Sequence, residues 1–172
     1  KAREGAVPPQ ARLLQSSVSP PLSEIIRVVN KYSNNVMARP FLLTLAAEKY
    51  GPPGTVEKGI RAIHAWLRQR RLDFPEPVIE NGSGLSREER ISASDLTDVL
   101  IDAANGPGAT SFQESLPQVG IDGTMRLRLR RDPVAGQAYI KTGTLNQVKA
   151  IAGYVTASSG VKYAVTLLIN GP

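Results

Sequence analysis

Residues 138–170 read AYIKTGTLNQVKAIAGYVTASSGVKYAVTLLIN and carry the strongest secondary-structure signal in the chain. Apolar and β-branched side chains fill three runs, 138–144, 148–156 and 161–169, which predict three β-strands. The polar links between these runs, 145–147 and 157–160, are short. Strands joined by such short links pair antiparallel, so the sequence predicts a three-stranded meander.

Before residue 138, apolar residues recur at intervals of three and four, the spacing typical of amphipathic helices. Leu22, Ile25, Ile26 and Val29 recur at helical spacing, which predicts a helix that ends near Lys31. Ser19 is its candidate cap, with Pro20 and Pro21 in its first turn. Further helices are predicted over 35–50, over 55–71 with Thr55 as the cap, from Ser92 or Ser94 to about 105, and as a short turn over 111–115. Helices first and an antiparallel meander last are typical of the α+β class.

Composition removes several classes of function. The 172 residues include 21 Lys and Arg against 15 Asp and Glu, with no cysteine and a single histidine, His64. Disulfides, thiol nucleophiles, cysteine-based zinc sites and histidine-rich metal sites are therefore excluded. No run approaches the roughly 20 apolar residues that span a bilayer, so no membrane span is expected.

The net charge of +6 raises the question of a nucleic-acid partner. The densest basic run is RLRLRR at 126–131, whose alternation predicts an extended segment with arginines and leucines on opposite faces. Aromatic residues, which serve as stacking platforms for bases, make up only 5% of the chain, and none lies in this run. We therefore interpret the arginines as a solvated face and expect no nucleic-acid partner, although another anionic polymer would fit the charge as well.

Two short motifs could carry chemistry. Lys141-Thr142-Gly143 lies on the first predicted strand, where it offers a positive charge, a hydroxyl donor and a stretch of backbone without a side chain. Such a strand suits an extended anionic substrate. Ser33-Asn34-Asn35 lies at the junction of the first two helices, where Ser33 could equally be a helix N-cap.

The two motifs belong to a set of five short stretches of sequence, and the set in this order is far more specific than either motif alone. They are YSNN at 32–35, NGSGLSR at 81–87, SLP at 115–117, GIDGT at 120–124 and KTGTL at 141–145. Together they resemble the penicillin-binding protein 4 family, the class C low-molecular-mass D-Ala-D-Ala carboxypeptidases and endopeptidases of bacterial cell walls. The resemblance covers residues 10–170 and implies part of a serine β-lactamase/transpeptidase-like domain.

The nucleophile of that family is missing from this sequence. It is the serine of a Ser-x-x-Lys motif at the start of a buried helix, where the lysine lies beside the serine hydroxyl. The one match here, Ser159 with Lys162, falls in a predicted hairpin turn, which is the wrong context. We expect residues 1–172 to be an incomplete transpeptidase domain that lacks the N-terminal Ser-x-x-Lys part and a C-terminal helix.

The resemblance also implies roles for the residues that are present. Ser33 would pass a proton to the departing amine, and the amide of Asn35 would hold the substrate's peptide carbonyl. Lys141 would polarise the Ser33 hydroxyl and, with Thr142 beside Gly143, attract the terminal carboxylate. The backbone N–H of Thr144 would form half of an oxyanion hole.

Arg87 and Asn146 are candidates for contacting the diaminopimelate side chain of the stem peptide, although a loop-stabilising hydrogen bond is an equal reading of Arg87.

The implied protein is periplasmic, acts on peptidoglycan stem peptides, is acylated by β-lactams and needs no metal or organic cofactor. Two alternatives are a non-catalytic peptidoglycan-binding fragment and a serine β-lactamase relative. Ser83 lacks the flanking pattern of a nucleophile elbow.

Overall fold

The computed structural model describes residues 5–75 and 77–171; Lys1–Glu4, Glu76 and Pro172 lie outside this part. Five α-helices precede the sheet: α1 (Leu22–Tyr32), α2 (Asn35–Tyr50), α3 (Val56–Gln69), α4 (Ala93–Asn105) and α5 (Ala109–Ser115). A 3-10 turn, Gly123–Met125, follows them. The strands are β1 (Ala138–Leu145), β2 (Val148–Thr156) and β3 (Lys162–Asn170). The predicted α+β class is confirmed.

The sheet is the predicted antiparallel meander, in the order β1-β2-β3. Side chains alternate between its two faces. On one face Tyr154 packs with Leu100 of α4 and Leu116, and the Tyr154 hydroxyl donates to the Leu100 carbonyl at 2.6 Å. On the other face Ile140 packs with Val119 and Met125. Helices α4 and α5 therefore cover one face, and the segment around the 3-10 turn covers the β1 side of the other.

The β3 side of that second face is open. Tyr163, Leu167 and Ile169 each leave about half of their surface exposed. They share this face because even numbers of residues separate them along one strand. A contiguous apolar strip of this kind marks a surface that usually contacts something.

Helices α2 and α3 form a hairpin beside α1. Gly59 of α3 permits their close approach, since a Cβ at this position would overlap the side chain of Leu42. Thr55 caps α3 as predicted by accepting a hydrogen bond from the Lys58 N–H at 3.3 Å. None of the helices among the described residues is long and apolar enough to cross a lipid bilayer.

Two local predictions, and the alternative reading of Ser33 as a helix N-cap, are wrong. Pro21, with no side-chain hydrogen bond, occupies the N-cap position of α1 instead of Ser19. Asn34, not Ser33, caps α2. Residues 126–131 form turns and bends instead of an extended segment, so Leu127 and Leu129 are exposed beside the arginines. Leu129 has a positive φ of 53°, which a regular extended segment does not allow.

Candidate active site

Ser33 lies in the single-residue corner between α1 and the cap of α2. Its backbone is left-handed, with φ 55° and ψ 51°, and it ends α1 as the C-cap. The next residue, Asn34, begins α2 by accepting a hydrogen bond from the Met37 N–H at 3.1 Å. Two helices that stop and start so abruptly hold the Ser33 side chain in a fixed place.

Lys141 reaches Ser33 from the sheet. Its Nζ donates to the Ser33 Oγ at 2.9 Å and to the Thr142 carbonyl at 2.9 Å. The two side chains are 108 positions apart in the sequence. The predicted pairing of the two motifs in space is therefore present in the structure.

The charge of Lys141 is not neutralised by a neighbouring acid. Within 5–75 and 77–171, the ion pairs are Lys31 with Asp122 and Arg70 with Asp102, and neither involves Lys141. Burial lowers the pKa of Lys141 from its usual value of 10.5, because desolvation penalises the charged form. A half-buried ammonium without a carboxylate partner is suited to attract an anion.

The outer edge of β1 carries backbone groups that point away from β2. The Ile140 N–H donates to the Pro117 carbonyl at 2.7 Å, and the Ala138 carbonyl accepts from the Val119 N–H at 2.9 Å. Backbone groups alternate in direction along a strand, so those of Thr142 and Thr144 point to the same side. The N–H of Thr144 therefore faces outward, on the same edge as the Thr142 carbonyl that accepts from the Lys141 Nζ. Its oxyanion role stays a prediction.

Gly143 keeps the adjoining surface open. It pairs with Ala150 across the sheet, and a Cβ on Gly143 would lie 3.3 Å from the Ala150 Cβ. A cleft of about 890 Å³ runs past this point, lined by Gly84 and Arg87 and by Gly143 and Thr144; Ser33 and Lys141 are not among its lining residues. The glycine leaves the strand backbone accessible from the cleft, as the sequence predicts.

Asn35 and the loop over 81–87 are joined directly. The side-chain amide of Asn35 donates to the Ser83 carbonyl at 2.6 Å. Asn81 holds the loop turn by accepting from the Ser83 N–H at 2.9 Å, and Gly82 and Gly84 adopt positive φ of 73° and 74°. The amide of Asn35 thus has one donor engaged with the protein and one N–H to offer.

Arg87, which lines this cleft, contacts Asn146. The Nη1 of Arg87 donates to the backbone carbonyl of Asn146 at 3.2 Å, and both side chains are exposed. This contact matches the loop-stabilising reading of Arg87. It leaves the other guanidinium N–H groups free to bind a ligand, so both predicted roles are compatible.

The remaining candidates have structural surroundings. The Ser83 hydroxyl accepts from the Leu85 N–H at 3.2 Å, within its own loop. Ser159 lies in the β2–β3 turn and Lys162 binds Gln113 Oε1 at 2.6 Å, so these two do not form a serine–lysine pair. His64 lies inside α3, and no group of three or more potential metal ligands occurs among the residues that are described.

Sequence reasoning missed the ion pair between Lys31 and Asp122. Lys31 is 6% exposed, and its Nζ lies 2.6 Å from Asp122 Oδ2. A lysine in the last turn of a helix is ordinarily a solvated partner of the helix dipole, and Asp122-Gly123 reads as a turn. The only signal was that Asp122 lies in one of the five quoted blocks.

The sequence of this chain is similar to those of known D-alanyl-D-alanine carboxypeptidases. The chain is 30% identical over 166 residues to the D-alanyl-D-alanine carboxypeptidase DacB of Haemophilus influenzae, covering 95% of this chain and 35% of that protein. It is 33% identical to the D-alanyl-D-alanine carboxypeptidase of an Actinomadura species, covering 94% of this chain and 30% of that protein. The chain thus spans about a third of the length of these relatives.

Solved structures with a similar fold include a penicillin-binding protein and an endopeptidase. The crystal structure of penicillin-binding protein 4 from Haemophilus influenzae superposes with a TM-score of 0.86 at 30% identity, over 96% of this chain and 37% of that one. A predatory endopeptidase of Bdellovibrio bacteriovorus shares the fold with a TM-score of 0.68 at 21% identity, over 88% of this chain and 39% of that one. The predicted resemblance is confirmed.

A model of the D-Ala-D-Ala carboxypeptidase 3 (S13) family matches residues 3–172, nearly the whole length of the chain. The five sequence blocks, the three-stranded sheet and the pairing of Ser33 with Lys141 all lie within this match. The chain therefore belongs to the D-Ala-D-Ala carboxypeptidase 3 (S13) family.

Proposed function

We propose that these residues form one wall of the active site of a serine D-Ala-D-Ala carboxypeptidase or endopeptidase that cleaves peptidoglycan stem peptides. The observation that carries the proposal is the 2.9 Å hydrogen bond from the Lys141 ammonium to the Ser33 hydroxyl, beside an open strand edge. We refer to the whole natural protein that contains these residues as the parent protein.

The nucleophile is proposed to come from a part of the parent protein outside residues 1–172. The only Ser-x-x-Lys in this sequence lies in the β2–β3 turn, and the relatives are about three times as long as the chain. The exposed apolar strip on β3 supports further covering elements, including a C-terminal helix, because such a strip gains about 25 cal/mol for each Å² of apolar surface that is buried.

The chemistry is acyl transfer through an ester. The serine hydroxyl of the missing motif would attack the carbonyl carbon of the D-Ala-D-Ala bond and give its proton to the lysine of that motif. The C–N bond would then break, and D-alanine would leave as its amine with a proton that Ser33 passes on and regains from that lysine. Because the Lys141 ammonium donates to the Ser33 Oγ, the Ser33 O–H is free to donate to the departing nitrogen. Water then hydrolyses the ester and regenerates the serine.

Substrate binding is proposed to extend the sheet. An extended peptide beside the outer edge of β1 would pair with the outward backbone groups of Thr142 and Thr144. Its terminal carboxylate would be held by the Lys141 charge and the Thr142 hydroxyl, and its scissile carbonyl by the N–H of Thr144. The second N–H of Asn35 would donate to the neighbouring peptide carbonyl.

The finer assignments concern specificity and location. Arg87, together with Asn146, is proposed to contact the diaminopimelate side chain, because Arg87 lines the same cleft as Thr144 and is hydrogen-bonded to the Asn146 carbonyl. The substrate implies an extracytoplasmic, periplasmic protein. β-Lactams would acylate it because they present a strained amide and a carboxylate to the same groups.

Labelling with a fluorescent penicillin tests the proposal. The parent protein should form one covalent adduct, which peptide mass spectrometry maps to a serine outside residues 1–172, and it should release D-alanine from a peptide ending in D-Ala-D-Ala. The isolated 172-residue chain should do neither. An adduct on a residue of this chain would overturn the assignment of the nucleophile, and a parent protein with neither activity would overturn the function.

A further inference from the structure

The ion pair that fixes the end of α1 lies two residues from Ser33. The Nζ of Lys31 donates to the Leu116 carbonyl at 2.7 Å and to Asp122 Oδ2 at 2.6 Å. The side chain of Lys31 is 8% exposed and that of Asp122 is 35% exposed. An ammonium this deeply buried must be fully partnered, because an unpaired buried charge is costly.

Asp122 connects Lys31 to a folded turn. Its second oxygen, Oδ1, accepts from the Gln118 N–H at 2.8 Å. Gly123 packs against the backbone of Lys31 so closely that a Cβ at this position would overlap the Lys31 carbonyl. The last turn of α1 is thus held against residues 116–125 by charge, by hydrogen bonds and by close backbone contact.

The same segment, 116–125, is bound to the outer edge of β1. The carbonyl of Pro117 accepts from the Ile140 N–H at 2.7 Å, one residue before Lys141. The Thr124 hydroxyl lies 3.4 Å from the hydroxyl of Thr142, one residue after it. Helix α1 itself packs mainly on α5 and the 3-10 turn. Its Lys31 Nζ also lies 6.0 Å from the centre of the Tyr139 ring on β1.

We propose that the Lys31–Asp122 pair is a positioning device that holds the Ser33 hydroxyl at hydrogen-bond distance from the Lys141 ammonium. The segment 116–125 is the common support, with Ser33 fixed to it through Lys31 and Lys141 fixed to it through Ile140. The inference rests on the proposed function for its effect on catalysis, but the geometry it describes is independent of that function.

A buried ion pair is a poor source of stability, and apolar side chains of similar volume often replace one without loss of folding. Apolar contacts do not depend on angle, whereas hydrogen bonds do. The Lys31 ammonium donates both to a carboxylate and to a carbonyl, which fixes its orientation. Replacing the pair by apolar side chains should therefore preserve the fold and loosen the placement of Ser33.

The test is the double variant Lys31→Met/Asp122→Leu in the parent protein, compared with Lys162→Met. Lys162 hydrogen-bonds the side chain of Gln113 on α5, at the other end of the sheet. We expect the double variant to fold but to be acylated by penicillin about 10²-fold more slowly, the effect of a displacement of about 1 Å in a catalytic group. The substrate KM should change little, and Lys162→Met should behave like the wild type.

A second measurement follows Lys141 without catalysis. With ¹³Cε-labelled lysine, the Lys141 signal, identified by its loss in Lys141→Arg, should move toward that of a free lysine in the double variant. A folded double variant with wild-type acylation, or an unmoved Lys141 signal, would overturn the positioning role. If the wild type itself is not acylated, the proposed function fails and the Lys141 signal alone decides the inference. If the double variant does not fold, Asp122→Glu replaces it. This variant keeps both charges, but its longer side chain displaces the carboxylate, so the same changes in acylation rate and in the Lys141 signal are expected.

Discussion

The two halves of the outer edge of β1 differ although they belong to one strand. In the first half, Ala138 and Ile140 are hydrogen-bonded to Val119 and Pro117 and are buried. In the second half, no backbone segment among the described residues pairs with Thr142 or Thr144, and the cleft opens beside Thr144. One strand therefore combines a stabilising edge with an edge left free for a ligand.

An unpaired strand edge normally invites association with other chains, and proteins limit the risk with short edges and charge. Here the free portion is short and the Lys141 ammonium lies beside it. We conclude that the first half should control the stability of the protein and the second half its chemistry. Four substitutions or conditions test this division.

The largest effect is expected from Lys141→Ala in the parent protein. Removing the ammonium leaves the Ser33 hydroxyl without its hydrogen-bond donor, so penicillin acylation should fall about 10³-fold while the melting temperature changes little. Stopped-flow acylation and thermal unfolding measure the two quantities. Lys149→Ala, an exposed lysine on β2, is the matched control. Equal acylation by both variants would contradict the role of the open half.

The next effect concerns the covered half. Ile140 is 5% exposed, so Ile140→Ala should lower the free energy of unfolding by about 3 kcal/mol through lost burial and a cavity. Thr142→Ala, two residues along the same strand, should stay within about 0.5 kcal/mol of the wild type. Urea unfolding compares them. A Thr142 variant as unstable as the Ile140 variant would erase the distinction between the halves.

A smaller effect should appear with Thr142→Val, which keeps the shape and removes the hydroxyl. A hydrogen bond to a carboxylate is lost, so KM for a peptide ending in free D-alanine should rise about tenfold. KM for the same peptide ending in an amide should not change. Thr156→Val, at the far end of β2, serves as the control. A similar rise for both peptides would show that Thr142 does not recognise the carboxylate.

The smallest effect is a pH dependence of stability. Because burial lowers the pKa of Lys141 below 10.5, the folded state binds fewer protons than the unfolded state between the two pKa values. The free energy of unfolding should therefore rise with pH through this window, relative to Lys141→Met. Chemical unfolding at several pH values up to 10.5 measures the difference. Parallel pH profiles for the two proteins would mean that Lys141 is well solvated.

Most of the fold could be predicted because its signals are local. The strands, the α2 boundaries and the Thr55 cap follow from periodicity and capping, which depend on residues close in sequence. The prediction failed at residues 126–131, where alternation of arginine and leucine imitates a strand. Alternation indicates a strand only where one face is buried, and here both leucines are exposed.

The site was partly predictable for a different reason. Ser33 and Lys141 carry motifs, so their pairing could be expected from a resemblance even though 108 positions separate them. Lys31 and Asp122 carry no motif of their own, and their partnership arises only when α1 packs against the segment before the sheet. Burial of a charged residue through such long-range packing leaves little trace in local sequence.

The left-handed backbone of Ser33 limits which amino acid can supply the hydroxyl. Threonine carries the same group, but its branched Cβ crowds a residue with positive φ, whereas serine fits with less strain. Glycine and asparagine also tolerate a positive φ, but neither carries a hydroxyl. In natural relatives of this chain, the backbone conformation should thus favour serine over threonine at this corner.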